Sequence, residues 1–242
     1  MARRRRRRRR SFWQRLAGIL ASVLLVALLA SAGSVAALRW LDPLTSSFIV
    51  QRKVEVLMEG GRAADVAYRW VPWERISPEV GIAVVAAEDQ LFPEHVGFDV
   101  ESIRDALEER EQGGRLRGAS TISQQVAKNL FLWPGRSWVR KGLEAYFTVL
   151  IETMWSKRRI LEVYVNIAQF GDDTFGVGAA SERFFAKPAA DITTEEAALL
   201  AAVLPNPKRL HVDRPSRYVR ERTHWIRSQM RMLGGSEYLR GI

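Results

Sequence analysis

The N-terminal part of the chain contains an uninterrupted apolar segment that restricts how the remainder can be organised. Residues 16–38 are 23 consecutive residues without a charge, most of them Leu, Ala, Val and Ile. A helix of that length spans roughly 30 Å, which matches the hydrocarbon thickness of a bilayer. Trp13 and Trp40 flank the segment, where amphipathic rings favour the headgroup region. We therefore predict a transmembrane anchor at residues 16–38.

The charge beside this segment predicts its orientation. Residues 3–10 are eight consecutive arginines, and Arg15 follows them. Because Lys and Arg that flank a membrane span tend to stay in the cytoplasm, residues 1–15 are expected to form a basic cytoplasmic tail. Residues 41–242 are then expected to lie on the far side of the inner (plasma) membrane, as one periplasmic domain.

Other interpretations of this terminus stay open. Small residues between positions 30 and 37 would suit cleavage of a signal peptide, although 23 apolar residues exceed the usual signal core of about 7–15. Residues 9–12 also faintly resemble a twin-arginine export signal. Both alternatives export the same domain. The arginine run could itself bind anionic lipid headgroups or, as a weaker alternative, nucleic acid.

Beyond Arg15 the chain is close to neutral. The formal charge is +10, but only 28 of the 37 basic residues follow Arg15, against 27 acidic ones. Nucleic-acid modules typically carry a basic face across the domain, so we expect no nucleic-acid partner. The absence of cysteine from the sequence excludes disulfides and thiolate chemistry. The three histidines, His95, His211 and His224, lack a metal-site spacing, and no protein-built metal site is predicted.

Helical signals dominate the remaining sequence. Residues 77–79 read Ser-Pro-Glu, which combines an N-cap, a first-turn proline and an acid that suits the helix dipole. Thr193 and Glu196 form a capping box for a helix that runs to Leu204. Further helices are predicted at residues 101–111, 120–131, 137–154, 157–168, 177–186 and 216–233. Residues 41–76 are ambiguous, because residues 53–58 alternate like a strand. The prediction is a mainly α domain.

Two adjacent carboxylates, Glu88 and Asp89, follow the apolar run at residues 82–87. Carboxylates at the end of a buried helix are costly unless they are paired or hydrogen-bonded. For Asp89, capping of the following turn and a functional role are equally supported. For Glu88 we favour function, because partial burial makes a carboxylate a usable general base.

The block at residues 118–130 is the next candidate. One helical face is predicted to carry four polar residues at i, i+3, i+4 and i+7: Thr121, Gln124, Gln125 and Lys128. Amide donors and an ammonium above a helix N-terminus suit phosphate groups or sugar hydroxyls. The alternative is an ordinary solvated face, which would normally contain more Glu.

Three further groups have both a structural and a functional interpretation. Arg140 and Lys141 lie four and three residues before Glu144, as in a surface ion pair. Residues 157–166 carry Lys, Glu and Asn between apolar positions. Residues 130–133 read L-F-L-W, which is either core or a patch that dips into the membrane interface.

Taken in order, these blocks resemble the peptidoglycan glycosyltransferase family, in particular its monofunctional, single-domain members. Residues 88–99, E-D-Q-L-F-P-E-H-V-G-F-D, are similar to the first family motif, E-D-x-x-F-x-x-H-x-G-x-D. The other matches are at residues 118–129, 140–144, 157–166 and 176–187. Ser123 replaces the usual threonine of the second motif, and Arg183 stands where the fifth is often aromatic. Five ordered motifs cover about residues 78–210, which is far more specific than any one of them.

The resemblance implies a lysozyme-like helical domain that polymerises lipid II into glycan strands. The implied reaction forms β-1,4 bonds with inversion and releases undecaprenyl diphosphate. Glu88 matches the catalytic glutamate, the general base toward the acceptor hydroxyl. Glu144 matches a second essential glutamate that orients the substrate or assists the leaving group.

The same resemblance assigns the substrate-binding residues and partners. Lys128, Arg140 and Lys141 are expected to stabilise the diphosphate, with sugar or phosphate oxygens held by a polar set: Asp89, Thr121, Gln124, Gln125 and Asn129. Mg²⁺ or Mn²⁺ is expected only together with the diphosphate, since no covalent cofactor is implied. Expected partners are lipid II, the growing strand, membrane lipids, and cell-wall synthases or division proteins. A lytic, glycan-cleaving enzyme and an inactive cell-wall scaffold are the rival functions.

Overall fold

The computed structural model describes residues 2–99, 104, 120–135 and 137–242. The helix predicted at residues 101–111 falls outside these ranges except for residue 104, and so do residues 118–119 of the second motif. The chain divides into two compact units, Met1–Leu41 and Asp42–Ile242.

The first unit is the helix α1 (Ala2–Leu38). Its portion Trp13–Leu38 has 26 residues and a mean hydropathy of 2.3, which is long and apolar enough to cross a membrane. Length and composition therefore fit the predicted single-pass anchor. An N-terminal signal sequence would form the same helix, so the choice between anchor and cleaved segment stays a prediction.

Helices dominate the second unit, which confirms the mainly α prediction. They are α2 (Ser47–Met58), α3 (Pro78–Glu88), α4 (Ile122–Phe131), α5 (Trp138–Met154), α6 (Lys157–Ile167), α7 (Val177–Phe185), α8 (Thr194–Val203) and α9 (Arg217–Met232). Short 3₁₀ turns lie at Ala63–Asp65, Trp73–Arg75, Ala189–Asp191 and Gly235–Leu239. The predicted capping box of Thr193 and Glu196 is present.

Helix α3 is the centre of the unit. Every residue from Val80 to Ala86 is buried, so the helix is apolar on all sides and belongs to the core. It begins at Pro78, as predicted, but the hydroxyl of Ser77 does not cap it. That hydroxyl donates to the carbonyl of Ile192 at 2.7 Å and ties the start of α3 to the segment before α8.

Two groups of helices meet at α3. Helices α8 and α9 pack on one another and on α3, whereas α4 packs against α5 and α6. Contacts between α3 and α6 join the groups. The C-terminal end of α3, where Glu88 lies, is therefore approached by α4 from one group and by α9 from the other.

A small sheet completes the unit. Its strands β1 (Ala67–Tyr68), β2 (Gln169–Gly171) and β3 (Thr174–Phe175) lie in the order β1-β3-β2, with β1 parallel and β2 antiparallel to β3. Helix α2 packs over it through a cluster that includes Ile49, Val56 and Phe175.

The strand-like interpretation of residues 53–58 was wrong, because they form the second half of α2. The hydroxyl of Ser46 accepts the N–H of Ile49 at 3.3 Å and starts the helix. Val54 and Val56 would share a strand face, yet Val54 is 48 % exposed and Val56 only 6 %. Ile49 and Val56, seven residues apart, form the buried stripe instead, which is helical spacing.

Candidate active site

Glu88 is held at the end of α3 by a relay of two hydrogen bonds. Nε2 of Gln125 donates to Oε2 of Glu88 at 2.8 Å. The hydroxyl of Tyr164 donates to Oε1 of Gln125 at 3.1 Å. Burial raises the pKa of Tyr164 well above its usual value, so the hydroxyl stays protonated and remains a donor. Tyr164 thereby fixes which end of the amide faces Glu88.

The environment of Glu88 raises the pKa of its carboxyl group. Burial is the largest cause, and Asp89 adds a smaller effect in the same direction. The hydrogen bond from Gln125 and the positive charges of Arg222 and Lys128 act in the opposite direction but do not outweigh burial. A carboxylate with a raised pKa is a stronger base once it is ionised.

Asp89 faces into the protein and joins two segments. Its Oδ2 accepts the N–H of Ile122 at 2.8 Å, in the first turn of α4. Its Oδ1 lies 2.9 Å from Nε2 of His95, and Nδ1 of His95 accepts the N–H of Gly97 at 3.1 Å. The ring proton is therefore on Nε2, directed at Asp89. These contacts are the ones expected of a residue that organises the loop after Glu88.

The predicted polar face of α4 divides into two parts. Thr121 and Gln124 are buried and form a capping box, and the hydroxyl of Thr121 donates to the carbonyl of Gly97 at 2.7 Å. Gln125 and Lys128 are turned toward the carboxylates instead. Asn129 is half-buried beside them, with its backbone carbonyl accepting the hydroxyl of Ser47 at 3.0 Å.

Glu144 lies between two cations on its own helix. Nη1 of Arg140 is 3.0 Å from its Oε2, and Nζ of Lys141 bonds its Oε1. The side chains of Arg140 and Glu144 are only 12 % and 4 % exposed, so this pair is not the exposed one that the spacing could equally have produced, whereas Lys141 is 46 % exposed. Nε of Arg140 is buried and has no hydrogen-bond partner in the part of the chain that the structure describes.

Lys128 connects the two carboxylates electrostatically. Burial lowers the pKa of its ammonium group, while the charges of Glu144 and Glu88 act to raise it. Its Nζ lies 5.8 Å from the ring centroid of Phe48 in α2. Lys128 forms no ion pair within 4 Å among the described residues. The ammonium is thus available to an anionic ligand.

The fourth motif, residues 157–166, contacts the loop after Glu88 through Lys157. Nζ of Lys157 bonds Oε1 of Glu152 at 2.8 Å and the carbonyl of His95, and the hydroxyl of Ser123 also donates to Glu152. Gly97 fits closely here, with φ +90° and a Cβ position 2.8 Å from side-chain atoms of Glu152. Only glycine combines that backbone angle with that space.

Two more residues of this motif hold the segment before α3. The carboxylate of Glu162 accepts the N–H of Trp73 at 2.9 Å. The amide of Asn166 accepts the N–H of Val71 at 2.8 Å and donates to its carbonyl at 2.9 Å. These contacts favour a structural role for Glu162 and Asn166.

Helix α9 contributes residues that the sequence analysis missed. A cavity of about 350 Å³ is lined by Glu88 and by Trp225, which is 46 % exposed. Arg222, one turn earlier, donates from Nη2 to the carbonyl of Ala87 at 3.4 Å. The i, i+3 spacing of Arg222 and Trp225 could have indicated that they share a helix face, but the helix contains several other arginines.

The aromatic segment after α4 is only partly exposed. Leu130 and Leu132 are buried, and Phe131 stacks on Phe147 with centroids 4.5 Å apart. Trp133 is 50 % exposed and Trp138, at the start of α5, 93 % exposed. The apolar surface therefore includes these two tryptophans and Val139, and residues 130–133 do not form it as a whole.

Comparison with known proteins identifies the family. The family described as Transglycosylase matches residues 55–231. The biosynthetic peptidoglycan transglycosylase of Stutzerimonas stutzeri (strain A1501) is 55 % identical over 205 residues, covering 85 % of this chain and 84 % of that protein. The protein of the same name from Escherichia coli O1:K1 / APEC is 59 % identical over 195 residues, covering 80 % and 81 %. The chain therefore belongs to the transglycosylase family, whose lysozyme-like fold its five motifs predicted.

Proposed function

We propose that this chain is a membrane-anchored peptidoglycan transglycosylase that joins lipid II units into glycan strands. Glycosyl transfer in peptidoglycan synthesis is the activity that its relatives' names state. The finer parts of the proposal are lipid II as donor and acceptor, inversion at the anomeric carbon and release of undecaprenyl diphosphate. The observation that carries it is the placement of a basic carboxylate, Glu88, near a separate cationic cluster around Glu144.

Glu88 is the general base in this proposal. The acceptor hydroxyl has a high pKa and must lose its proton as its oxygen attacks the anomeric carbon. Glu88 takes that proton, and the electron pair of the breaking sugar–phosphate bond leaves with the diphosphate. No covalent glycosyl-enzyme forms. General-base assistance of this kind typically contributes about 10²–10⁴-fold to the rate.

Lys128, Arg140 and Lys141 are assigned to the diphosphate, where negative charge develops. Glu144 already accepts from Arg140 and Lys141, so its role is to hold both cations in place rather than to transfer a proton. The Nε of Arg140, which has no hydrogen-bond partner among the described residues, and the ammonium of Lys128 are the donors that a phosphate oxygen would engage.

A divalent cation has no protein-built site among the described residues, which contain no group of three His, Asp or Glu side chains with suitable geometry. Glu88, Asp89 and Glu144 each already accept hydrogen bonds from protein donors. We assign Mg²⁺ or Mn²⁺ to the substrate diphosphate alone, and no step of the mechanism runs through it. Chelation of divalent ions during the polymerisation assay tests this assignment.

The topology follows from the N-terminal segment. We assign residues 1–15 to a cytoplasmic tail, residues 16–38 to the anchor and residues 41–242 to a periplasmic domain. Because both substrates carry polyprenyl chains, an enzyme tethered to the same bilayer meets them at a raised effective concentration. Trp133 and Trp138 would contact that lipid surface.

Polymerisation of labelled lipid II by the purified full-length chain tests the function. We expect polymer from the wild type and almost none from E88Q, which keeps the size of the side chain but cannot accept the proton. E94Q is the matched control, because Glu94 lies six residues on and is exposed. It should polymerise at the wild-type rate.

The same assay decides between the rival functions. Shortening of preformed glycan strands, without polymer from lipid II, would identify a lytic enzyme. An inactive wild type in both assays would identify a scaffold. Full activity of E88Q would remove Glu88 from the mechanism while leaving the family assignment intact.

A further inference from the structure

Helix α9 brings a guanidinium to the back of the general base. Nη2 of Arg222 donates to the carbonyl of Ala87, the residue that precedes Glu88, and the 3.4 Å distance is at the long end for a hydrogen bond. The ring of Trp225 lies 5.7 Å from the guanidinium carbon and lines the same cavity as Glu88. Arg222 is thus fixed beside Glu88 without touching its carboxylate.

The charge of Arg222 is not used in an ion pair with any of the described residues. Nε is buried without a hydrogen-bond partner, and Arg222 forms no ion pair within 4 Å, both among the described residues. Its neighbours on α9 are engaged: Arg227 pairs with Glu195 of α8, and Gln229 accepts from Gln90. A partly buried cation without a direct counter-ion destabilises the fold, so its position here favours a functional role.

The main charged groups that act on Glu88 among the described residues come from its chain neighbour and from two helices, and Asp99 lines the same cavity. Asp89 follows Glu88 in the chain, Lys128 acts from α4 and Arg222 from α9, while Gln125 of α4 and Tyr164 of α6 complete the polar surroundings. Lys128 also acts on Glu144 and belongs to the cluster assigned to the diphosphate. Once the diphosphate binds, its charge offsets that of Lys128. Among the described residues, Arg222 then remains as the cation with a marked effect on Glu88 that is not assigned to the diphosphate.

We propose that Arg222 is a positioning residue that keeps Glu88 ionised and ready to accept the proton of the acceptor hydroxyl. This inference rests on the proposed function, since it concerns the same base. The proton moves from the acceptor hydroxyl to Glu88, and Arg222 neither gives nor takes one. Its contribution is a fixed positive charge, so its loss should change the pH at which the enzyme becomes active.

The direction of the change follows from the charge. A nearby cation favours the ionised form of a carboxyl group, so removing it raises the pKa of Glu88 further. The acid limb of the kcat/KM profile should then move to higher pH, by about half a unit to one unit for a charge that makes no direct contact. At a pH below the limb, this is a loss of about threefold to tenfold beyond any uniform loss.

The experiment is the pH profile of kcat/KM for lipid II polymerisation, with full-length wild type, R222Q, R222K and R227Q. R222Q should show the raised limb, and R222K should retain the wild-type limb because it keeps the charge. R227Q is the matched control: its arginine also has a buried Nε without a partner among the described residues, but it pairs with Glu195. Its limb should not move.

Three results would overturn the inference. R222Q with the wild-type acid limb would do so even if its rate were uniformly lower, since that is a structural effect. An equal shift of the acid limb in R227Q would show that the shift is not specific to Arg222. Should R222Q not fold, R222M replaces it in the comparison: a raised limb in R222M beside a wild-type limb in R222K supports the charge argument, and a wild-type limb in R222M contradicts it. A wild type that forms no polymer would instead reject the proposed function.

Discussion

Replacement of Lys157 by methionine is the substitution for which the structure gives the clearest magnitude. Nζ of Lys157 bonds Oε1 of Glu152 and the backbone carbonyl of His95, and it lies 4.7 Å from the ring centroid of Phe92. Methionine keeps most of the volume of the stem but removes the charge and every donor. The variant therefore leaves the carboxylate of Glu152 without its cation.

The cost follows from burial. The side chain of Glu152 is 7 % exposed and that of Lys157 is 17 % exposed, so water can replace little of what is lost. Breaking a buried pair by removing one partner costs about 3–5 kcal/mol. Ser123 still donates to Glu152, which favours the lower end of that range. A loss of about 3 kcal/mol lowers the midpoint of thermal unfolding by roughly 6–12 °C in a domain of this size.

Arg158 supplies the matched control one residue away. It pairs with Glu74, but the two side chains are 44 % and 68 % exposed, and exposed pairs contribute about 0–1 kcal/mol. Thermal unfolding of the full-length wild type, K157M and R158M in the same detergent should separate the two variants clearly. A difference of about 1 kcal/mol corresponds to roughly 2–4 °C in the unfolding midpoint. If the midpoints of K157M and R158M differed by less than about 2 °C, the buried pair would not stabilise the loop after Glu88.

Three further outcomes are expected. A186G should raise the unfolding midpoint by a few degrees, because Ala186 ends α7 with φ 53°, a left-handed conformation that costs a residue with a Cβ about 1 kcal/mol. Combined W133S and W138S should weaken flotation with anionic liposomes of a chain that lacks residues 1–41, and unchanged flotation would exclude these side chains from the membrane contact. The pKa of Glu88 is raised, and only its ionised form accepts a proton. As the pH is lowered, wild-type kcat/KM should therefore begin to fall at a pH above the ordinary glutamate pKa of about 4.3. A flat profile down to that range would contradict this.

Much of the fold could be predicted because its helices are delimited by local chemistry. Pro78 and the box of Thr193 and Glu196 mark helix starts that depend on residues only a few positions apart. The partial burial of Glu88 was also predictable, since it follows an apolar run too continuous for a surface helix. These signals need no knowledge of which helices meet.

Most of the missed features depend on tertiary contacts. Thr121 and Gln124 are an exception, because their spacing is a local capping-box signal that was interpreted instead as part of one polar face with Gln125. Helix α2 was ambiguous because its alternating valines are equally compatible with a strand until the sheet beneath it is known. Arg222 was overlooked because α9 carries arginines along its length, and only packing on α3 selects one of them.

The same reasoning explains how a nearly neutral domain can present a cationic site. Beyond Arg15 the chain has 28 basic and 27 acidic residues, so composition predicts no preference for an anion. Around Glu144, however, Arg140, Lys141 and Lys128 outnumber the carboxylate, and Arg140 and Lys128 are largely shielded from water. Because buried charges are screened far less than exposed ones, this local excess determines the field that a diphosphate would meet. Affinity for an anion thus depends on how the fold separates charges and not on their sum.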